Sequence, residues 1–299
     1  MHSLTDILDS CRIRPDKKFR WKDFDPTWAG EKRIPKAKRR ATAEKLLSDE
    51  VQDLAAAQEL LYAANRWSVL VILQALDTAG KDGTIKHVMS GVNPQGCQVY
   101  SFKVPTSEEL SHNYLWRCMK VLPERGHIGI FNRSYYEEVL VVKVHPQLLK
   151  NERIPHAKAG AKLWQQRYEE INQFEQHLSR NGTRIVKFFL NISKREQRKR
   201  LMARIDDPTK HWKFSAGDLV ERANWDDYQA AYAEAISATS TEAAPWYVIP
   251  ANHKWVARAL VATILAKTID DLKLEYPTVS PEMKQQIKAS KKQLEAEPK

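Results

Sequence analysis

Residues 69–91 read VLVILQALDTAGKDGTIKHVMSG. The run from Val69 to Leu73 is short, apolar and rich in β-branched residues, which predicts a buried strand. Asp77-Thr78-Ala79-Gly80-Lys81-Asp82-Gly83 follows as a tight turn, and a helix is predicted from about Thr84. Strand, Gly-Lys turn and helix in succession form a cradle for phosphate: turn N–H groups and the positive helix end face the anion, and the lysine adds a full charge. The fit to G-x-x-x-x-G-K-[ST] is incomplete. Ala75 takes the place of the first glycine, and Asp82 stands where a Ser or Thr hydroxyl would meet Mg²⁺. Asp77 and Asp82 suggest instead that metal is held by carboxylate, a preference magnesium shares with water and phosphate oxygens. The plain alternative is a solvated turn before a helix.

Outward from this stretch, strands are predicted at 98–104, 127–131, 186–190 and 246–249, making five with Val69–Leu73. Helices are predicted over 43–65, from the capping-box pattern at 106–109 toward Lys120, from Ser134, over 158–180, from Ser193, and over 218–237 and 254–272. Strands alternating with helices predict an α/β fold: a five-stranded parallel sheet with helices on both faces. Ligands in such sheets bind beyond the carboxyl ends of the strands, so residues 77–83, 132–137 and 191–213 are expected to meet at one crevice. The domain reading is a basic arm over 1–42, the α/β domain over 43–275 and a charged tail over 276–299. The arm is read as extended and pinned by Trp21, Phe24 and Trp28.

Two further segments carry chemistry. Asn132-Arg133-Ser134-Tyr135-Tyr136-Glu137 ends the third strand. Arg133 is suited to paired hydrogen bonds with phosphate. Glu137 either caps the next helix with Ser134 or faces the crevice, and the two roles are compatible. Residues 194–213, KREQRKRLMARIDDPTKHWK, hold eight basic and three acidic residues, with Arg200 and Arg204 on one helix face. This run is either a solvated face or a mobile cover over phosphates.

The 299 residues carry a formal charge of +11 and three scattered cysteines. The charge favours polyanionic partners. The cysteine count indicates neither a disulfide framework nor a zinc site. No signal pattern or membrane-length apolar run appears, so a cytoplasmic chain without a membrane partner is expected.

The segments LDTAGKDGTIKHVMSGVNPQG, GHIGIFNRSYYEEVLVVKVHP and FFLNISKREQRKRLMARIDDPTKHWKFSAGDLVERANWDDYQAAY together resemble the polyphosphate kinases of family 2. The resemblance implies a P-loop kinase-like fold close to thymidylate kinase, which makes 43–275 a P-loop phosphotransferase domain with a helical lid at about 193–217. It also implies reversible transfer of the terminal phosphoryl group of inorganic polyphosphate to AMP or ADP, with Mg²⁺, and Mn²⁺ able to replace it. Adenine or other purine nucleotides are the expected acceptors, nucleic acid is not an expected partner, and a homo-oligomer is the expected assembly. Asp77, Lys81 and Arg133 are the catalytic candidates. Ala79, Gly80, Lys81, Asp82, Gly83, Thr84, Lys86, Arg133, Arg200 and Arg204 are those for phosphate; Asn132, Arg133 and Glu137 those for nucleotide; Asp77 and Glu137 those for metal. Many members carry Asp-Arg-Ser-Trp-Tyr-Asn at 132–137. The Asn132…Glu137 version resembles the subgroup that phosphorylates both AMP and ADP. The alternatives are an ATP-dependent nucleotide kinase and a non-catalytic nucleic-acid-binding protein.

Overall fold

In the computed structural model, residues 4–15, 17–155 and 158–297 are described. Residues 1–3 and 16 of the expected arm, 156–157 of the expected central domain and 298–299 of the expected tail lie outside them. Five strands form one parallel sheet in the order β2-β3-β1-β4-β5: β1 (Ser68–Gln74), β2 (Cys97–Ser101), β3 (Ile128–Asn132), β4 (Thr183–Asn191) and β5 (Trp246–Pro250). β1 is buried along its whole length because both faces are covered. Val69, Val71 and Leu73 face one core, whereas Leu70 and Ile72 face the other.

The helices are α1 (Leu4–Cys11), α2 (Lys36–Ala64), α3 (Lys81–Val88), α4 (Ser107–Leu110), α5 (Trp116–Met119), α6 (Glu137–Val144), α7 (Leu149–Glu152), α8 (Ala161–Arg180), α9 (Lys194–Ile205), α10 (Gly217–Ala223), α11 (Trp225–Thr239), α12 (Lys254–Asp270) and α13 (Pro281–Glu295). α12 packs along α2 on one face of the sheet, and α6, α8 and α11 pack together on the other. The carboxyl ends of β1 and β3 lie level, Leu73 beside Asn132, so the loops leaving them open onto the same edge.

Several elements differ from expectation. The arm is not extended throughout: residues 4–11 are helical, and α2 starts at Lys36 rather than 43. Lysine and arginine are good helix formers, but the apolar stripe that signals the helix starts only at Leu46. Between these helices the chain is tied to the fold. Ile13 donates its N–H to Trp246 O (2.8 Å), Trp21 Nε1 donates to Gln229 O (3.1 Å), and Phe19 is buried. The helix expected from 106 to 120 breaks in two because the Asn113 side chain accepts from the N–H of Leu115 and turns the chain. The helix expected over 218–237 is interrupted at Asn224.

Candidate functional site

The chain leaving β1 is shaped by backbone that few side chains tolerate. Thr78 has φ +63° and Gly80 φ +107°, and across the crevice Arg133 has φ +65°. Non-glycine residues held there cost about 1–3 kcal/mol each and persist only where surrounding contacts over-determine them. Gly80 is the N-cap of α3 and brings no side-chain cap, so the positive helix end is left to an external anion. Lys81 curls back to donate to Ala75 O at 2.9 Å, closing the loop on itself. Burial, and then the neighbouring Arg133 charge, lower the Lys81 ammonium to about 8.

Arg133 is the centre of the site. Its N–H is held by Leu73 O (3.0 Å), and its guanidinium bridges two carboxylates: Nη2 to Asp77 Oδ1 at 2.6 Å and Nη1 to Glu137 Oε2 at 3.0 Å. Glu137 above all, and Asp77 after it, push the guanidinium's already high value further up, so it stays charged. Asn132 donates to Asp82 Oδ1 at 2.9 Å, fastening the tip of β3 to the first turn of α3. Ser134 and Glu137 do not form the expected capping box. Ser134 Oγ is buried, accepting from Gln74 Nε2 and from the N–H of Tyr136, and Glu137 turns to Arg133 instead.

Two arginines expected at phosphate are engaged elsewhere. Arg200 spends all five of its donors: Nε on Glu196 (2.9 Å), Nη1 on Thr78 O (3.2 Å) and Ala79 O (2.7 Å), and Nη2 on Ala251 O (2.6 Å) and Asn252 O (3.1 Å). It therefore bolts α9 to the phosphate-type loop and to the chain after β5. Arg204 donates to Lys213 O and Asp218 Oδ2, joining α9 to the 3-10 turn at Pro208–Lys213 and to α10. Helix spacing identified their shared face, but not that backbone carbonyls would fill it. Ala79 also differs from expectation: its N–H already donates to Leu76 O (3.2 Å). Thr84 is buried, Lys86 is exposed more than one turn beyond Lys81, and Asp82 and Gly83 open the first turn of α3.

Beside Arg133 opens a cavity of about 720 Å³. Asp77, Arg133 and Glu137 form its charged end, while Phe102, Tyr114, Leu140, Val141, Trp225 and Tyr232 line its apolar part. Arg117 and Arg222 also reach it. This size and division suit a small molecule with a flat apolar body and an anionic end. Asp218 faces the same charges; burial, and then Asp77, raise its carboxyl. Sequence spacing did not single out Arg117, Asp218 or Arg222, because α5 brings in the first and α10 the other two, each from a distant part of the chain.

A second charged region lies on the far side of α3. Arg258 Nη2 is 3.5 Å from where a Gly83 Cβ would lie. Burial lowers the values of Lys254, Arg258 and His253, and neighbouring positive charge lowers them further. Arg200 acts on all three, joined by Arg258 at Lys254 and by Lys36 and Arg39 at His253. This concentration of cations has one acid among its named neighbours, Glu196.

The family model for polyphosphate kinase 2 matches residues 37–277. An ADP-polyphosphate phosphotransferase of Rhodopseudomonas palustris is 55% identical over 250 residues, 83% of this chain and 86% of that protein. An AMP/ADP-polyphosphate phosphotransferase of Meiothermus ruber is 49% identical over 274 residues, 90% of this chain and 96% of that protein. The crystal structure of polyphosphate kinase 2 from Arthrobacter aurescens TC1 superposes with a TM-score of 0.81 at 44% identity, covering 90% of this chain and 91% of that one.

Proposed function

Because this chain belongs to the polyphosphate kinase 2 family, we propose that it transfers the terminal phosphoryl group of inorganic polyphosphate to AMP and to ADP, reversibly. The observation that carries this reading is the Arg133 guanidinium, held between Asp77 and Glu137 where the Lys81 loop meets the 720 Å³ cavity. One cation there faces a phosphate chain on the loop side and an acceptor phosphate on the cavity side.

The donor polymer runs from the Lys81 loop along the cations at the start of α12, where it would balance the charge of Lys254 and Arg258. The acceptor places its base against the apolar cavity wall and its terminal phosphate at Arg133. That phosphate oxygen is already a nucleophile, so no strong base is required, and positioning with charge stabilisation supplies the catalysis. Lys81 and Arg133 stabilise charge on the transferred group. The segment at about 193–217 acts as the lid, with Arg200 holding its first helix to the loop.

The residues fit a divalent metal. Asp77 and Glu137 each spend one carboxylate oxygen on Arg133, and the Thr78 hydroxyl is buried without a partner in the same loop. No group of three or more His, Cys, Asp or Glu is arranged for a metal among the described residues, so substrate oxygens and water must complete the shell, as is usual for Mg²⁺. When bound, Mg²⁺ would neutralise charge between the reacting phosphates.

The decisive experiment incubates AMP, polyphosphate and Mg²⁺ and follows AMP, ADP and ATP with time. ADP appearing first and ATP after it supports the reading; no transfer without ATP as donor points to an ordinary nucleotide kinase.

A further inference from the structure

Behind the Arg133 turn lies a charged pair with no access to substrate. Lys187, in the middle of β4, and Glu175, on α8, are 0% and 1% exposed and meet at 2.6 Å. Every donor and acceptor around them is matched. The Lys187 ammonium donates to Glu175 Oε2, to Tyr136 Oη (2.8 Å) and to Thr239 O (2.7 Å). The other carboxylate oxygen of Glu175 accepts from Tyr135 Oη (2.8 Å) and Tyr136 Oη (2.9 Å). Trp246 Nε1 completes the cluster by donating to the Thr239 hydroxyl at 2.9 Å.

A buried ion pair is a poor stabiliser, because desolvation consumes most of its attraction and well-packed apolar residues do as well or better. Two phenols would likewise pack as phenylalanines without needing partners. The cluster is better explained by what it grips. Tyr135 and Tyr136 are the two residues that follow Arg133-Ser134, and Arg133 sits in left-handed backbone that must be held from outside. Leu73 O and Gln74 hold the front of this turn. Glu175 and Lys187 hold its back, through two hydroxyls fixed in direction from α8 and β4. Burial, with Glu175 beside them, pushes both phenols well up, so they remain donors at any working pH.

We propose that the buried Lys187–Glu175 pair positions Arg133: by fixing the hydroxyls of Tyr135 and Tyr136, it sets the turn that presents the guanidinium to the transferred phosphoryl group. Both residues are positioning residues; neither touches substrate. The inference rests on the role of Arg133 given under Proposed function.

The test is a double-mutant cycle in single-turnover assays. Tyr136→Phe removes one hydroxyl and no volume. It is expected to lower the rate about tenfold with the polyphosphate KM changed less than about twofold, since misplacement of a catalytic group costs rate rather than binding. In an Arg133→Ala background the same change is expected to cost less than about twofold, because coupled residues are non-additive. Equal losses in both backgrounds, or no loss in either, overturn the proposal. Arg133→Ala with wild-type turnover would instead sink the assignment of Arg133, a distinguishable failure. A Lys187→Met/Glu175→Leu double variant leaves the Tyr135 and Tyr136 hydroxyls without partners, so it is expected to melt lower than the wild type while folded and to lose rate like Tyr136→Phe; a folded double variant at wild-type rate overturns the proposal. If that variant does not fold, Tyr135→Phe in the same cycle takes its place, with the same two outcomes.

Discussion

Replacing Lys81 by methionine should stabilise the ligand-free protein while removing its activity. In the empty site the Lys81 ammonium is lowered from 10.5 to about 8 by burial, with Arg133 adding to the effect. At about 1.36 kcal/mol per pH unit, keeping it charged costs the fold about 3 kcal/mol. Methionine removes that cost but leaves Ala75 O without its donor, a loss of about 1 kcal/mol. The net gain is about 2 kcal/mol, which for a chain of this size raises Tm by about 3 °C. The sign follows from linkage: the folded value is depressed, so the cost is full at pH 7, where the lysine is charged in both states. It fades as pH rises from about 8 to 10.5, the folded and unfolded values. Thermal unfolding of both proteins, without ligand, at pH 7 and pH 10 measures this. The variant should lead at pH 7, lose much of that lead at pH 10, and gain little from added polyphosphate, which should stabilise the wild type by mass action. A variant that melts at or below the wild type at pH 7, or whose advantage is unchanged at pH 10, would refute the reasoning.

Three other outcomes are expected. Arg200→Lys cannot reproduce five fixed donors, so kcat should fall at least about tenfold through a loosened loop, while added guanidinium chloride at low concentration should unfold the variant first. Asn132→Asp turns a 2.9 Å hydrogen bond to Asp82 into a like-charge contact; the ratio of kcat/KM for AMP to that for ADP should shift by about tenfold, read with each acceptor alone. The polyphosphate KM should rise steeply between 50 and 300 mM KCl, because exposed cations such as Lys254 are screened at about 10 Å or less; a salt-independent KM would contradict the basic track.

Most of the fold was legible in local pattern. Apolar runs bounded by turn residues marked β1, β3, β4 and β5, since burial on both faces demands continuous apolar sequence; β2, at the sheet edge and partly exposed, carries no such run. Where the helix expected from 106 broke, at Asn113, the cause was a polar side chain that apolar periodicity does not register; the break at Asn224 involves no side-chain cap. The start of α2 was missed for the reverse reason: its first turns are charged and solvated, so they carry no apolar stripe.

The site divides along the same line. Asp77, Lys81 and Arg133 lie in short segments at strand ends, and a parallel sheet must bring its carboxyl-end loops to one edge, so sequence alone determined which segments meet and the phosphate chemistry they carry. Only the tertiary structure decided which donor meets which acceptor. It assigned Arg200 to backbone carbonyls, Glu137 to Arg133 rather than to a helix cap, and Arg117 and Arg222 to the cavity. It also buried Lys187 against Glu175 behind the turn. Arg200 reaches a carbonyl 121 positions away, and even Glu137 and Arg133, four apart, meet because the turn between them leaves regular helix; no period in the sequence records a partner that is near only after the chain has folded.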